Sequence, residues 1–359
     1  YRYTTVKKKY IDFNDVDRFD STVYQMTSSE PGSVSFIEGN SDAGYIGTTF
    51  EAECIFPKKF KKGDPLYFRT DFVSASLFGM HEADSANPGD TTWFGSDRAD
   101  LRVYAVRPEE ESKSVRFHLT SSYLGIELTS SLYADVYDNE KWNFAVRIYQ
   151  EKHPLADGVI GSDTGSYTVE FQGVNAALDV IQNEFNLSAT VSEALGEGHM
   201  SADKRLFVGA HRENFTGSLV VGPGGDNTDE FSDAKISSVR YWLNKIPENI
   251  IREHAKDALN FGSEDPYGNV EAFNSTGLSG TFVPQMKTLA LHWDFETVTG
   301  SDNGSGLPPL NSSDAQFVVQ DLTSGSTEEA GNFGWIGEAT RKNYNGRGDF
   351  FLRNDTDVV

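Results

Sequence analysis

Residues 204–261, KRLFVGAHRENFTGSLVVGPGGDNTDEFSDAKISSVRYWLNKIPENIIREHAKDALNF, decide the fold. Leu206 and Val208 alternate with polar or small neighbours and run into Gly209, the pattern of a strand with one buried face. A polar loop follows, then a second alternation in which Ile236, Val239 and Tyr241 stand among Ser237, Ser238 and Arg240. Directly behind Trp242 the period changes: Ile246, Ile250, Ile251 and Ala255 fall at helical spacing. Strand, loop, strand ending in Arg240-Tyr241-Trp242, then one short helix is the closing edge of a β-sandwich, with those three residues expected to lock the last strand to the helix.

Working outward, the rest of the chain repeats the short-strand pattern. Trp142, Phe144, Val146 and Ile148 alternate in WNFAVRIYQE as a core strand does. Tyr167, Val169 and Phe171 do the same in the next segment, and strands are expected in SVSFIEG, GTTFEAECIFP, PLYFRTDF and around Leu101, Val103 and Ala105. Gly, Asn, Asp and Ser supply the turns between them. Residues 176–183 are expected to form a short helical turn, FNLSATVS a strand, and residues 192–203 a loop. The expected organisation is an N-terminal strand or linker over 1–31, the sandwich over 32–262, and a smaller β-rich segment over 263–359 that packs on the sandwich or starts a further unit. The start at Tyr1 rather than Met points to a processed product or part of a longer polypeptide.

A net charge of −23 excludes a phosphate-binding surface, which needs clustered cations; Lys7-Lys8-Lys9 and Lys58-Lys59 read as solvated strand ends. No apolar run is long enough for a bilayer, so neither nucleic acid nor a membrane is an expected partner. The single cysteine, Cys54, alternates with Ala52 and Phe56 and reads as a buried thiol.

Chemistry is sparse. A sandwich glycosidase that retains configuration needs two carboxylates about 5–5.5 Å apart on one strand. Glu51 and Glu53 share a face, but the expected Glu-x-Asp-x-x-Glu run is missing, so no catalytic residues are assigned. No Gly-x-Ser-x-Gly elbow occurs, and the seven histidines are scattered. GPGG at 222–225 lacks the Gly-Lys-Ser/Thr ending of a phosphate loop and reads as a turn. The acidic run 12–20 (Asp12, Asn14, Asp15, Asp17, Asp20) lacks the glycine and terminal glutamate of a calcium loop. Gly346–Asp349 and the sequon at Asn214 carry no supporting context.

Two binding candidates remain. Asp226, Asn227, Asp229, Glu230 and Asp233 gather oxygen donors on one loop and form a candidate calcium site; no other cofactor is expected. Trp93, Phe94 and Tyr123 are loop aromatics that could stack on sugar rings.

LFVGAHRENFTGS, SDAKISSVRYW, IREHAKDALNFG with the following DPY, and LALHWDFETVTGSD together resemble large virion structural proteins of tailed bacteriophages. These carry a concanavalin A-like (laminin-G-like) jelly-roll domain. The resemblance covers residues 140–300. It implies an all-β concanavalin A-like sandwich exposed on the tail, fibre or capsid surface of a virion, without enzymatic activity, assembling with other virion proteins or copies of itself. The alternative is a lectin-like module that recognises host surface glycans, with calcium as an accessory ion.

Overall fold

The computed structural model describes residues 11–12, 25–28, 47–58, 73–82, 97–150, 165–202, 204–209, 220–225, 232–242, 245–257, 289–293, 298–301, 316–319 and 333–336. Two antiparallel sheets face each other. The seven-stranded sheet contains β1 (Ile11–Asp12), β3 (Gly47–Phe56), β8 (Glu140–Gln150), β9 (Tyr167–Ala177), β10 (Val180–Val191), β12 (Lys235–Trp242) and β13 (Leu289–Trp293). Its order runs β1-β12-β3-β8-β9-β10, with β13 also paired to β12. The five-stranded sheet has the order β11-β4-β5-β6-β7, from β4 (Ser74–Glu82), β5 (Leu101–Val106), β6 (Arg116–Ser121), β7 (Ile126–Thr129) and β11 (Lys204–Val208). The chain crosses between the sheets after β3, β7, β10 and β11, so distant segments become neighbours, as a jelly roll requires. Two small pairs complete the described strands: β2 (Gln25–Ser28) with β16 (Phe333–Ile336), and β14 (Val298–Ser301) with β15 (Gln316–Val319).

Strand alternation sends one side chain in two into the space between the sheets. From β3 come Phe50, Ala52, Cys54 and Phe56; from β8, Trp142, Phe144, Val146 and Ile148; from β5 and β6, Leu101, Val103, Phe117 and Leu119, all buried. Phe117 lies 4.7 Å from Phe144 and 4.8 Å from Trp142, ring centre to ring centre. Each such ring contributes about 1.5–3 kcal/mol through burial alone. Gly173 is the one position on β9 where Phe185 presses against the backbone: a Cβ there would lie 2.3 Å from its ring.

Two expectations change. Residues 176–183 form a hairpin between β9 and β10, turning at Leu178 and Asp179, both with positive φ (51° and 62°). Residues 193–201 form a helix, α1 (Glu193–Ser201), where small and charged residues suggested a loop. Its glycines make room for neighbours and Lys204 caps its end, Nζ donating to the carbonyls of Met200 and Ala202 at 3.2 and 2.7 Å. Leu289–Trp293, within the segment expected to pack on the sandwich or start a further unit, joins β12. The helix expected behind Trp242 is present as α2 (Glu248–Lys256), burying Ile250, Ile251, His254 and Ala255. Cys54 is a buried free thiol. Among the described residues, no helix is long and apolar enough to cross a membrane.

Candidate functional site

The carboxylates that share a face on β3 sit on the outer side of the seven-stranded sheet, under α2, and both are buried. Glu51 accepts from Trp242 Nε1 at 2.7 Å, from His254 Nδ1 at 2.9 and 3.0 Å, and from Asn143 Nδ2 at 3.3 Å. Burial opposes its ionisation, but His254, Arg240 and the Trp242 indole outweigh that and hold its pKa below the ordinary glutamate range. Glu53 accepts from Ser237 Oγ and pairs with Lys141 Nζ at 2.9 Å. Arg147 continues the layer, donating to the Ile246 carbonyl and pairing with Glu170 at 3.0 Å. Glu51 and Glu53 are thus spent on holding α2 and β12 to the sheet, while Glu170 braces β9 against Arg147 and Tyr149 of β8. Trp242 stacks on His254 of the helix (5.7 Å, 10°), whereas Tyr241, next along the strand, points into the core against Phe50. The expected lock thus works through Trp242 and Arg240; strand alternation turns Tyr241 away.

The acidic-loop candidate is divided. Asp226, Asn227, Asp229 and Glu230 lie outside the described residues. Asp233 does not join a calcium loop: it is buried, with Arg107 Nη2 on Oδ2 at 2.8 Å and the Tyr137 hydroxyl donating to Oδ1. A carboxylate already bonded through both oxygens to a guanidinium and a phenol is neutralised without a metal. Among the described residues, no cluster of histidine, cysteine and acidic side chains has the arrangement of a metal site. Gly222–Gly225 is a turn, closed by the Gly225 amide donating to the Gly222 carbonyl at 3.1 Å. In the other acidic run, Asp12 falls on β1, opposite Lys235 in register. Asn14, Asp15, Asp17, Asp20, Lys7–Lys9, Asn214 and Gly346–Asp349 lie outside the described residues, while Lys58 pairs with Asp138 at 3.3 Å.

The aromatic candidates fare differently. Trp93 and Phe94 lie outside the described residues, on the segment 83–96. Both ends of that segment are fixed. The Glu82 amide donates to Asp97 Oδ1 at 2.7 Å, and the Arg98 amide and guanidinium donate to the two Glu82 carboxylate oxygens. Asp100 accepts from the Ser122 amide at 2.8 Å and pairs with Arg102 at 2.8 Å, which ties the β6–β7 turn to the same clasp. His199 of α1, fully buried, donates from Nδ1 to the Arg98 carbonyl at 3.0 Å. Tyr123, on that turn, is half-buried and its hydroxyl meets α1 at Gly198, where a Cβ would lie 2.1 Å away. Three segments distant in sequence are therefore brought to one end of the sandwich by Glu82, Asp97, Arg98, Asp100, Arg102 and His199. Sequence reading missed this clasp, because its charges stand singly between turn residues; the compact alternation DRADLR at 97–102 is its only local trace.

Two of its groups titrate abnormally. Burial raises Asp97 to about 7, helped by the neighbouring Asp100 and Glu82 carboxylates and opposed by the Glu82 amide and Arg102. Burial, with Lys204 nearby, pushes His199 down to about 3. The signs are opposite. His199 supports the fold above about pH 6.5, and that support is lost as pH falls toward 3. Asp97, raised in the folded state, removes stability as pH rises from about 4 to 7, the window in which only the unfolded chain ionises. Asp97→Asn keeps the acceptor for the Glu82 amide and abolishes that loss. The expected result is a gain of about 1–3 kcal/mol at pH 8 and none at pH 4, read from urea denaturation at the two pH values.

No family model and no curated protein matches the sequence. Among solved structures, the chain is similar to the CBM40 of an IT-sialidase from Ruminococcus gnavus, at 10% identity and a TM-score of 0.34, covering 70% of this chain and 99% of that one. It is similar to a marine PL-14 alginate lyase from Aplysia kurodai at 6% identity and a TM-score of 0.28, covering 55% and 70% of the two chains. The binding domain of botulinum neurotoxin serotype G aligns at 7% identity and a TM-score of 0.28, covering 79% and 59%.

Proposed function

We propose that the chain is a non-catalytic, glycan-binding sandwich whose ligand seats at the clasped end, by α1 and the β6–β7 turn. The observation that supports this reading is the clasp itself. It fixes Glu82 and Asp97, the two ends of the segment that carries Trp93 and Phe94 in sequence, and ties the turn bearing Tyr123 to the same place, so an aromatic ring and charged hydrogen-bonding groups share one rim. Sugars are recognised by that pairing of apolar faces with a few placed polar groups. The carboxylates on β3 have no part in it, being buried and bonded on the other sheet.

A glycan array of neutral and acidic oligosaccharides, followed by calorimetric titration of the best ligand, tests the proposal. Trp93→Ala and Tyr123→Ala are each expected to weaken binding at least about tenfold, as loss of a buried aromatic anchor does. Tyr123→Phe, which keeps the ring against Gly198, is expected to bind within about threefold of wild type and to show that the loss is not one of folding. Retention of no glycan, or unchanged binding by both alanine variants, sinks the reading. Repeating the titration after chelation tests the calcium expectation for residues 226–230.

A second reading rests on a different observation, the open edge of β10. It is the virion structural component implied by the sequence resemblance, displayed on the particle surface, with other virion proteins or copies of itself as partners.

A further inference from the structure

Among the described residues, β10 is the last strand of the seven-stranded sheet, and its strand partner there is β9. Which of its backbone groups face outward follows from two independent features. The β9–β10 hairpin turns through two residues, Leu178 and Asp179, so Ala177 and Val180 close it as a hydrogen-bonded pair; the alternation from there makes Asn175, Gly173, Phe171 and Val169 of β9 the residues that bond to β10. Their partners are Asn183, Phe185, Leu187 and Ala189, past a bulge between Ile181 and Asn183. Glu184, Asn186, Ser188 and Thr190 therefore point their N–H and C=O groups away from the sheet. The second feature agrees: the Tyr133 hydroxyl reaches in from outside the strand pair and donates to the Glu184 carbonyl at 3.0 Å.

Beyond Glu184, no described strand pairs with this edge. Asn186, Ser188 and Thr190 are exposed, and among the described residues no backbone bond reaches their outward groups. Open edges are ordinarily blunted by lysine, proline or a bulge at the open stretch. Phe185–Val191 has no proline and no ionisable residue at all, in a chain carrying −23. The acidic side chains closest to it on the sheet are paired: Glu184 with Arg252 at 2.8 Å, and Glu170, opposite Ser188 in register on β9, with Arg147 at 3.0 Å. Two copies carry like net charge, and this stretch adds no charge of its own to their repulsion.

We infer that β10 pairs antiparallel with β10 of a second copy of this chain, about a two-fold axis through Ser188, joining the two seven-stranded sheets into one. In that register Ser188 faces Ser188 and Asn186 faces Thr190, so the three outward residues of each copy exchange bonds in full. On the inner face Leu187 meets Ala189, both half-buried in the single copy and packed against the core, so pairing covers apolar surface left over. All the facing pairs are uncharged. The inference stands apart from the glycan reading, since the clasped end and this edge share no residue.

Sedimentation equilibrium of the full chain is expected to show a reversible monomer–dimer equilibrium with a dissociation constant on the order of micromolar, as for a small interface. Ser188→Lys places two ammonium groups face to face and is expected to raise that constant at least about tenfold. Gln182→Lys, exposed on the same strand but off the open stretch, is expected to leave it unchanged. A measurement free of folding effects is amide exchange of the wild type. The Asn186, Ser188 and Thr190 amides are expected to slow about tenfold or more between dilute and concentrated protein, while amides of α1 do not. A monomer at all concentrations, a dimer indifferent to Ser188→Lys, or concentration-independent exchange at those three amides overturns the inference.

Discussion

Glu51→Ala is expected to destabilise the sandwich by about 3–5 kcal/mol, the cost of removing one partner from a buried charge cluster. The carboxylate is the acceptor for three donors, Asn143, Trp242 and His254, and the buried Arg240 guanidinium lies in its field. Removing it strands all of them in a buried layer. Glu51→Gln keeps an acceptor oxygen and loses only the charge, so its cost should be about half as large. Acid gives an independent reading. Because Glu51 is held below its ordinary pKa, it stabilises the fold above about pH 4.5, and that contribution disappears as pH falls through the folded value. The wild type should therefore lose stability between pH 5 and pH 3 more steeply than Glu51→Gln, as followed by tryptophan fluorescence in urea. Equal slopes would remove Glu51 from the explanation.

Arg107→Met should cost a similar 3–5 kcal/mol by the same logic at the other buried pair. Its guanidinium bonds Asp233 at 2.8 Å and lies 4.3 Å from the centre of the Tyr137 ring, with both charged side chains almost wholly sequestered. Burial and the Asp233 carboxylate hold the Tyr137 phenol well above its ordinary pKa, so it stays a donor and cannot take over the neutralisation. The single variant leaves an anion in the interior. Arg107→Met combined with Asp233→Leu removes both charges, and the pair should recover most of the loss, since buried ion pairs are often replaceable by apolar groups of similar volume. A double-mutant cycle in urea measures the coupling, expected at about 2–3 kcal/mol. If the double variant is as unstable as the sum of the singles, the pair is not coupled as described.

The strands were legible wherever one face meets the core, as at Trp142, Phe144, Val146 and Ile148, because burial and alternation then coincide. The helix behind Trp242 was legible for the same reason at its own period. The polar layer beneath that helix was not. Glu51, Glu53, Lys141, Arg147 and Arg240 occupy alternate positions, as solvent-facing residues do, and only the return of α2 over the sheet turns that face into an interior. Residues 176–183 read as helical because Ala176, Ala177 and Leu178 favour helix locally; pairing with β9 overrides that preference and holds Leu178 in a left-handed conformation. α1 escaped notice because Gly196 and Gly198 are poor helix formers. Both lie against tyrosines, Tyr167 and Tyr123, that leave no room for a side chain, a requirement set by three dimensions. Of the candidate site, Tyr123 was named from its sequence, but the clasp joining Glu82 to Asp97 depends on two strand ends meeting in space.

The central position of β3 also governs how the chain can acquire its structure. β3 lies between β8 and β12, and its contacts to β12 and α2 span 184 residues at Ser237–Glu53 and 203 at His254–Glu51. Such separations make closure slow, because a long loop must be ordered before the contact rewards it. During synthesis, β3 emerges early and waits with one edge bare and its glutamates unneutralised until β12 and α2 leave the ribosome. Four strands of the seven-stranded sheet, β3, β8, β9 and β10, can assemble beforehand, so the sheet is completed late, by the docking of β12 and α2 and then of β13 on β12.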